Sequence, residues 1–270
     1  MATKFYLWQK FLSRFRLWKS GDREEDIFLD KIKIREAKID DIPQILEVEK
    51  AAWGEEKAAT FEMFESRIKT FSEGTLVATI NNKIIGVIAT EIINYTLREE
   101  TLRWYEATDN GFINKTHNPR GDTLYGVDLS VHPLYQNRGI GKKLMVYMGK
   151  LAIKYNLKQG VLGARIPEYH RYADKIKVEE YVFSDNSPDS ELSFYRKLGL
   201  KIIKIIPEYF KDPESLNYGI LLIWKNPFYN KWYRWIAAKL LECKILKYFW
   251  YKSPGNFFHI IFISFTKFFS

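Results

Sequence analysis

The sequence predicts an α/β (α+β) body, one mixed sheet flanked by helices, with basic aromatic helical extensions at both ends. Three observations carry that prediction. Short segments of period two alternate along the chain with segments of helical period. A strand, a glycine-bearing loop and a long amphipathic helix follow one another between Thr123 and Tyr155. The net positive charge comes from the first 20 residues and the last 43.

Each element has its own signal. Lys31–Arg35 alternates Lys or Arg with Ile, a strand pattern. Asp40-Asp41-Ile42-Pro43 supplies an N-cap and an early proline, and Ile42, Ile45, Leu46 and Ala52 continue a helical face. Phe61–Phe71 reads as a second helix, stopped near Gly74. Thr75–Ile80 and Lys83–Ile93 read as a hairpin turned by Asn81-Asn82. Thr123–Val131 is a further strand. Ile140, Leu144, Met148, Leu151, Ala152 and Tyr155 share one face of a long helix. Gly160–Arg165 is a strand, Ser190–Leu198 a helix ended by Gly199, and Lys201–Pro207 and Asn217–Trp224 are closing strands.

The chain has 270 residues, 46% hydrophobic and 28% charged, which suits a globular domain with a core and excludes disorder as its main state. No apolar run reaches the roughly 18–20 residues of a spanning helix. The first 20 residues have no signal-peptide h-region. One cysteine, Cys243, excludes an internal disulfide and a cysteine-clustered metal site, and fits a cytoplasmic setting. No metal is expected. The organisation expected is a basic extension and linker at 1–30, a body at 31–227 and a basic aromatic extension at 228–270.

The net charge is +9. Residues 1–20 hold Lys4, Lys10, Arg14, Arg16 and Lys19 and no acid, with Phe5, Trp8, Leu12 and Phe15 at helical spacing. The stretch after Pro227 holds Lys231, Arg234, Lys239, Lys244, Lys247, Lys252 and Lys267 against Glu242. The body between is close to neutral and no nucleic-acid motif appears, so nucleic acid is not the expected partner. Residues 228–250 read as a helix, and 257–263 as an apolar run too short to span a bilayer. Lys and Arg among Trp and Phe suit an interfacial helix on an anionic membrane, peripheral on its inner face. The alternatives are docking on the protein's own sheet, on a twin subunit in a homodimer, or on another protein.

The most specific stretch is Val127-Asp128-Leu129-Ser130-Val131-His132-Pro133, followed by Gln136-Asn137-Arg138-Gly139-Ile140-Gly141-Lys142-Lys143-Leu144. Free amides at a helix start carry partial positive charge, and glycines let a ligand approach them. Arg138, Lys142 and Lys143 add full charges. The whole suits a pyrophosphate; the alternative is a glycine-eased turn with no ligand. It is neither the dinucleotide fingerprint nor a P-loop.

Gln136-x-x-Gly139-x-Gly141 after that strand resembles the signature of GNAT acetyltransferases. Phe194-Tyr195-Arg196-Lys197-Leu198-Gly199-Leu200 is similar to the family's second landmark. The resemblance covers about residues 31–226. Three more stretches, Gly121–Asp128, Gly163–Asp174 and Asp212–Ser215, resemble the acetyltransferase half of bacterial proteins in which a GNAT domain precedes a carbon–nitrogen hydrolase domain. The 43 residues after Pro227 are too few for that second half. Tyr195 stands where that subgroup is expected to lack a tyrosine.

The resemblance implies the GNAT acyl-CoA N-acyltransferase fold, acetyl-CoA as donor, and attack of a primary amine, small-molecule or peptide-borne, on the thioester. It places the backbone of Leu129 and Val131 beside the pantetheine arm. It places the loop Gln136, Asn137, Arg138, Gly139, Ile140, Gly141 and Lys142 on the pyrophosphate. Tyr195 becomes the candidate acid for the leaving thiolate, since a phenol stays protonated at neutral pH; a core tyrosine is the alternative. Candidates for the base are Asp128, His132, Glu168 and His170, of which His170 has the most suitable ordinary pKa. Tyr125, Arg165, Tyr169 and His117 are candidate acceptor contacts. Strand alternation places Tyr125 and Asp128 on opposite faces. Asp128 and Arg165 could instead form a structural ion pair. The insert 98–120, with His117 and Asn118, could close over the acceptor or be a solvated loop. Tyr169 and Tyr172 could wall a pocket or pack the surface. An acyl-CoA-binding scaffold without turnover is the competing function.

Overall fold

The computed structural model of the protein describes residues 28–96 and 103–240. Its strands are β1 (Lys33–Glu36), β2 (Thr75–Ile80), β3 (Lys83–Ile93), β4 (Thr123–Val131), β5 (Gln159–Arg165), β6 (Lys201–Ile206) and β7 (Gly219–Lys225). They form one sheet in the order β1-β2-β3-β4-β5-β7-β6. Only the central pair β4–β5 is parallel; all other neighbours are antiparallel. The helices are α1 (Ile42–Trp53), α2 (Phe61–Thr70), α3 (Trp104–Ala107), α4 (Ile140–Lys154), α5 (Val178–Phe183), α6 (Ser190–Lys197) and α7 (Arg234–Leu240).

The sheet divides two cores. On one face Ile42, Ile45 and Val48 of α1 and Phe64 and Ile68 of α2 close on Val77 and Val87. On the other, Ile140, Leu144, Met148 and Ala152 of α4 close on Ile88, Ile92 and Leu124. Each such fully buried aliphatic side chain contributes about 1.5–3 kcal/mol. The β2–β3 turn uses Asn81 and Asn82 at φ 48° and 64°, as a two-residue hairpin requires. Asp189 caps α6, its Oδ1 accepting from the amides of Glu191 (3.0 Å) and Leu192 (3.1 Å). Gly199 ends that helix at φ 83°.

The sequence pattern did not show α3 or α5, which are four and six residues long. Elements that short carry less than two turns of periodicity. The helix expected over 228–250 begins only at Arg234 among the described residues. Before it, Asn226 braces the chain, its Nδ2 donating to the Leu157 carbonyl at 2.7 Å and its Oδ1 accepting from Phe228 N at 2.9 Å. Phe228 and Tyr233 are buried. The helix expected at 1–20, the rest of 228–250 and the run 257–263 lie outside the described residues.

Candidate functional site

The site grows from a mismatch between β4 and β5. Their parallel ladder holds only Thr123–Gly126 against Gln159–Leu162. Beyond Gly126, β4 stays with β3 as far as Val131, and β5 stays with β7 as far as Arg165. The two strands therefore part, leaving a wedge whose β4 edge has backbone groups no strand satisfies. Such groups need partners, and an extended amide-bearing ligand can supply them. Leu129 and Val131 lie on this stretch, half-buried.

A bulge at the wedge re-aims the side chains. Asp128 pairs with Ala89 but Gly126 pairs with Thr90, so Val127 is the extra residue. Tyr125 pairs with Glu91, two residues from Ala89, so Tyr125 and Asp128 face the same way. The simple alternation that separates them fails here. Ser130, paired with Val87, joins them on the face covered by α1 and α2.

The loop after β4 is pinned at both ends. His132 Nδ1 accepts from Leu134 N at 3.2 Å, and Gln136 Nε2 donates to the Val131 carbonyl at 2.9 Å. Asn137 and Gly139 take positive φ, 59° and 78°, turning the chain so that Ile140 opens α4 with its free amides. A Cβ at Gly139 would meet Leu29 at 3.1 Å. Arg138 and half-buried Lys142 supply charge here. Lys143, read from sequence as a third cation of this loop, is instead buried and donates to the carbonyls of Leu29 (2.6 Å) and Ile32 (2.7 Å). It fastens the segment before β1.

Across the wedge, α6 presents Tyr195 and, one turn earlier, Glu191. Tyr195 is buried, and burial followed by Glu191, Tyr209 and Asp128 holds its phenol well above the ordinary value. Glu191 is pushed up to about 8 by desolvation and by Asp189, Asp212 and Glu168, against the pull of Arg165. Asp128 pairs with buried Arg67 at 2.9 Å, and Arg67 Nε donates to the Gly111 carbonyl at 2.7 Å. Beside them Glu49 is buried, and burial followed by Asp128 raises its pKa well above the usual range. Tyr125 lies beneath, its hydroxyl 3.3 Å from that of Tyr209. Tyr209 fits only because Gly163 and Gly219 lack side chains; a Cβ at either would lie 1.8 or 2.3 Å from its ring or hydroxyl.

Aromatic side chains close the α1 side. Trp53 Nε1 donates to Ser130 Oγ at 2.7 Å, and Trp104 Nε1 donates to the carbonyl of the bulge residue Val127 at 2.8 Å. Phe210, from the β6–β7 connection, stands 6.4 Å from Trp53 and 6.0 Å from both Trp104 and Tyr105, ring centre to ring centre.

The remaining candidates are distributed elsewhere. Arg165 pairs with Asp212 (3.3 Å), Glu191 (3.6 Å) and Glu214 and lies 5.4 Å over Trp53; the ion pair it could have made with Asp128 is replaced by Arg67–Asp128. Exposed His170 turns Nδ1 toward the carbonyls of Pro167 (3.0 Å) and Glu214 (2.9 Å), joining two loops. Tyr169 is buried against Tyr181 and Tyr218 and donates to the Ile176 carbonyl at 3.3 Å. His117 accepts from Ile92 N at 3.1 Å and stacks on Phe71, and burial lowers its pKa. Glu191, Arg67, Glu49, Trp53, Trp104, Phe210 and Tyr209 were not singled out from sequence. Only Glu191 had a usable signal, lying four residues before Tyr195 on one helix face. Among the described residues no cluster of three His, Cys, Asp or Glu is arranged to hold a metal, and no helix is long and apolar enough to cross a membrane.

Comparison with known proteins identifies the family and the fold. The model of the acetyltransferase (GNAT) domain matches residues 72–201. An uncharacterised N-acetyltransferase of Bacillus subtilis, YkwB, is 43% identical over 182 residues, 66% of this chain and 77% of that protein. A probable hydrolase of the same organism, YhcX, is 33% identical over 206 residues, 75% of this chain but only 40% of that protein. Among solved structures, the loading GNATL domain of CurA from Lyngbya majuscula superposes with a TM-score of 0.62 at 22% identity, covering 72% of this chain and 98% of that one.

Proposed function

From the premise that this chain belongs to the GNAT acetyltransferase family and is a GNAT-type N-acetyltransferase, we propose that it transfers an acetyl or longer acyl group from acyl-CoA to a primary amine by direct attack. The observation that carries this is the convergence of Tyr195, Glu191 and Asp128 on the wedge between β4 and β5. The β4 edge beyond Gly126, which pairs with no strand on the β5 side, receives the pantetheine amides, with Leu129 and Val131 flanking them. The loop Gln136–Lys142, opened at Gly139, takes the pyrophosphate on the first amides of α4, where the helix dipole favours an anion.

The amine nitrogen attacks the thioester carbonyl; a C–N bond forms and the C–S bond breaks. The thiolate takes its proton from Tyr195, whose raised pKa keeps the phenol protonated until that moment. The proton released by the amine goes to Glu191, whose pKa of about 8 lies close to the working pH. Asp128, fixed by Arg67, orients the amine. Tyr125 supports the floor through Tyr209. His170, Tyr169 and His117 shape the surrounding loops, and Arg165 holds Glu191 in place.

Calorimetric titration with acetyl-CoA and with free CoA, followed by thiol release in an amine screen, tests the reading. Micromolar binding and amine-dependent thiol release are expected. Absence of binding by either ligand would overturn it.

We also propose that the two ends lie on an anionic membrane rather than on a partner or a twin subunit. Trp232 and Trp235 are 61% and 57% exposed beside Lys231, Arg234 and Lys239, the pattern of an interfacial segment. Sedimentation with phosphatidylserine vesicles should fall on Trp232→Ala/Trp235→Ala substitution. Equal sedimentation would end that idea.

A further inference from the structure

The wedge has two faces, one on each side of the sheet. The α4 side holds Gly139 and the helix amides. The α1–α2 side holds Asp128 and Ser130, by their register with Ala89 and Val87. On this second side stand Trp53, Trp104, Tyr105 and Phe210, brought from the end of α1, the insert and the β6–β7 connection. Both indole N–H groups are spent inward on β4, one on the Val127 carbonyl and one on Ser130 Oγ. With Arg165 lying over Trp53, the apolar ring surface on this side comes mainly from Trp104, Phe210 and the ring of Tyr105. Tyr105 is 42% exposed at their edge. Packed rings of this kind are an apolar wall beside a polar reaction centre, which is how small-molecule sites fix orientation.

We infer that Trp53, Trp104, Tyr105 and Phe210 are the acceptor wall and that the acceptor is an amine with an aromatic or otherwise apolar body next to its nitrogen. This rests on the acyltransfer reading above. The body lies against Phe210 and Tyr105 while the nitrogen reaches Asp128 and Glu191. Trp104 has a second task as a positioning residue. Its indole holds the carbonyl of Val127, the residue whose insertion turns Asp128 toward Tyr125. The insert is thus part of acceptor recognition.

The test compares phenethylamine with ethylamine as acceptors for the full chain. Phenethylamine should be the better substrate, with at least a tenfold higher kcat/KM. Tyr105→Ala and Phe210→Ala should each raise the KM of phenethylamine at least tenfold and erase its advantage over ethylamine, with the acetyl-CoA Kd as it was. Trp104→Phe keeps the ring and loses the N–H, so kcat should fall about tenfold for both amines, since small misplacements of reacting groups are costly. Turnover of both amines with no preference, or Tyr105→Ala without effect on the KM of phenethylamine, overturns the wall while sparing the transferase reading. Preference for a short polyamine over both also overturns it. Wild-type protein that binds no acyl-CoA and releases no thiol refutes the transferase reading itself, and this inference with it.

Discussion

Replacing Glu91 by glutamine should make the protein more stable, increasingly so as pH rises. Glu91 is fully buried in β3, opposite Tyr125. One oxygen accepts from Thr116 Oγ1 at 2.7 Å; the other is buried with no hydrogen-bond partner among the described residues. Burial lifts its pKa from 4.5 to about 8, against the pull of Thr116 and Arg67. The folded state therefore holds a proton that the unfolded state releases near 4.5. Wherever the folded state binds the extra proton, stability falls with rising pH. The loss begins near pH 4.5, runs at about 1.4 kcal/mol per pH unit, and levels off above about 8. Over that window the cost approaches about 5 kcal/mol, a large part of a typical domain's stability. Glutamine mimics the protonated carboxyl, keeps an acceptor for Thr116, and removes the cost. Urea unfolding at pH 5, 6, 7 and 8.5 would measure it. The gain should be slight at pH 5 and several kcal/mol at pH 8.5. Parallel stability profiles for the two proteins would show that the carboxyl is not held protonated, and the reasoning would fail.

Other outcomes follow from the site. Tyr195→Phe should lower kcat about 100-fold with acetyl-CoA affinity unchanged in calorimetry, as for loss of a general acid; unchanged turnover would remove Tyr195 from that role. Wild-type kcat/KM should climb with pH through a midpoint near 8 and level off about one unit above it, because Glu191 must be ionised to accept a proton, and Glu191→Gln should flatten that limb and lower the plateau. A pH profile that keeps its limb in the variant assigns the base elsewhere. Gly163→Ala should expel Tyr209, whose hydroxyl lies where the new Cβ would go, and lower both melting temperature and turnover. Normal values for both would mean that the Tyr125–Tyr209 contact is dispensable.

Much of the frame was readable from local pattern because local chemistry fixes it. The hairpin at Asn81-Asn82, the strand at Thr123–Val131 and the long helix after Gly139 depend on periodicity, turn residues and one glycine that needs positive φ. The turn from Gln136 to Gly139 into the long helix was legible for the same reason: its residues are consecutive. The helix that carries Tyr195 was legible from its stop at Gly199, while Tyr195 itself was singled out by resemblance to the GNAT landmark.

The proposed reaction centre was not legible in that way. A one-residue bulge at Val127 reverses the facing of Asp128, and nothing in the residue string marks it, since bulges are settled by pairing with β3. Arg67 reaches Asp128 from 61 positions away and Trp53 reaches Ser130 from 77. Lys143 looked like a third phosphate-loop cation until the fold buried it under Leu29 and Ile32. The pKa of Glu191 arises from burial and from acids of separate segments that meet only in the folded chain. The sequence by itself therefore determined most of the longer elements, their order and the turn into the long helix. Only tertiary packing decided which charges are buried, which are paired and which way β4 turns its side chains, because burial and Coulomb energies depend on distance in space and not along the chain.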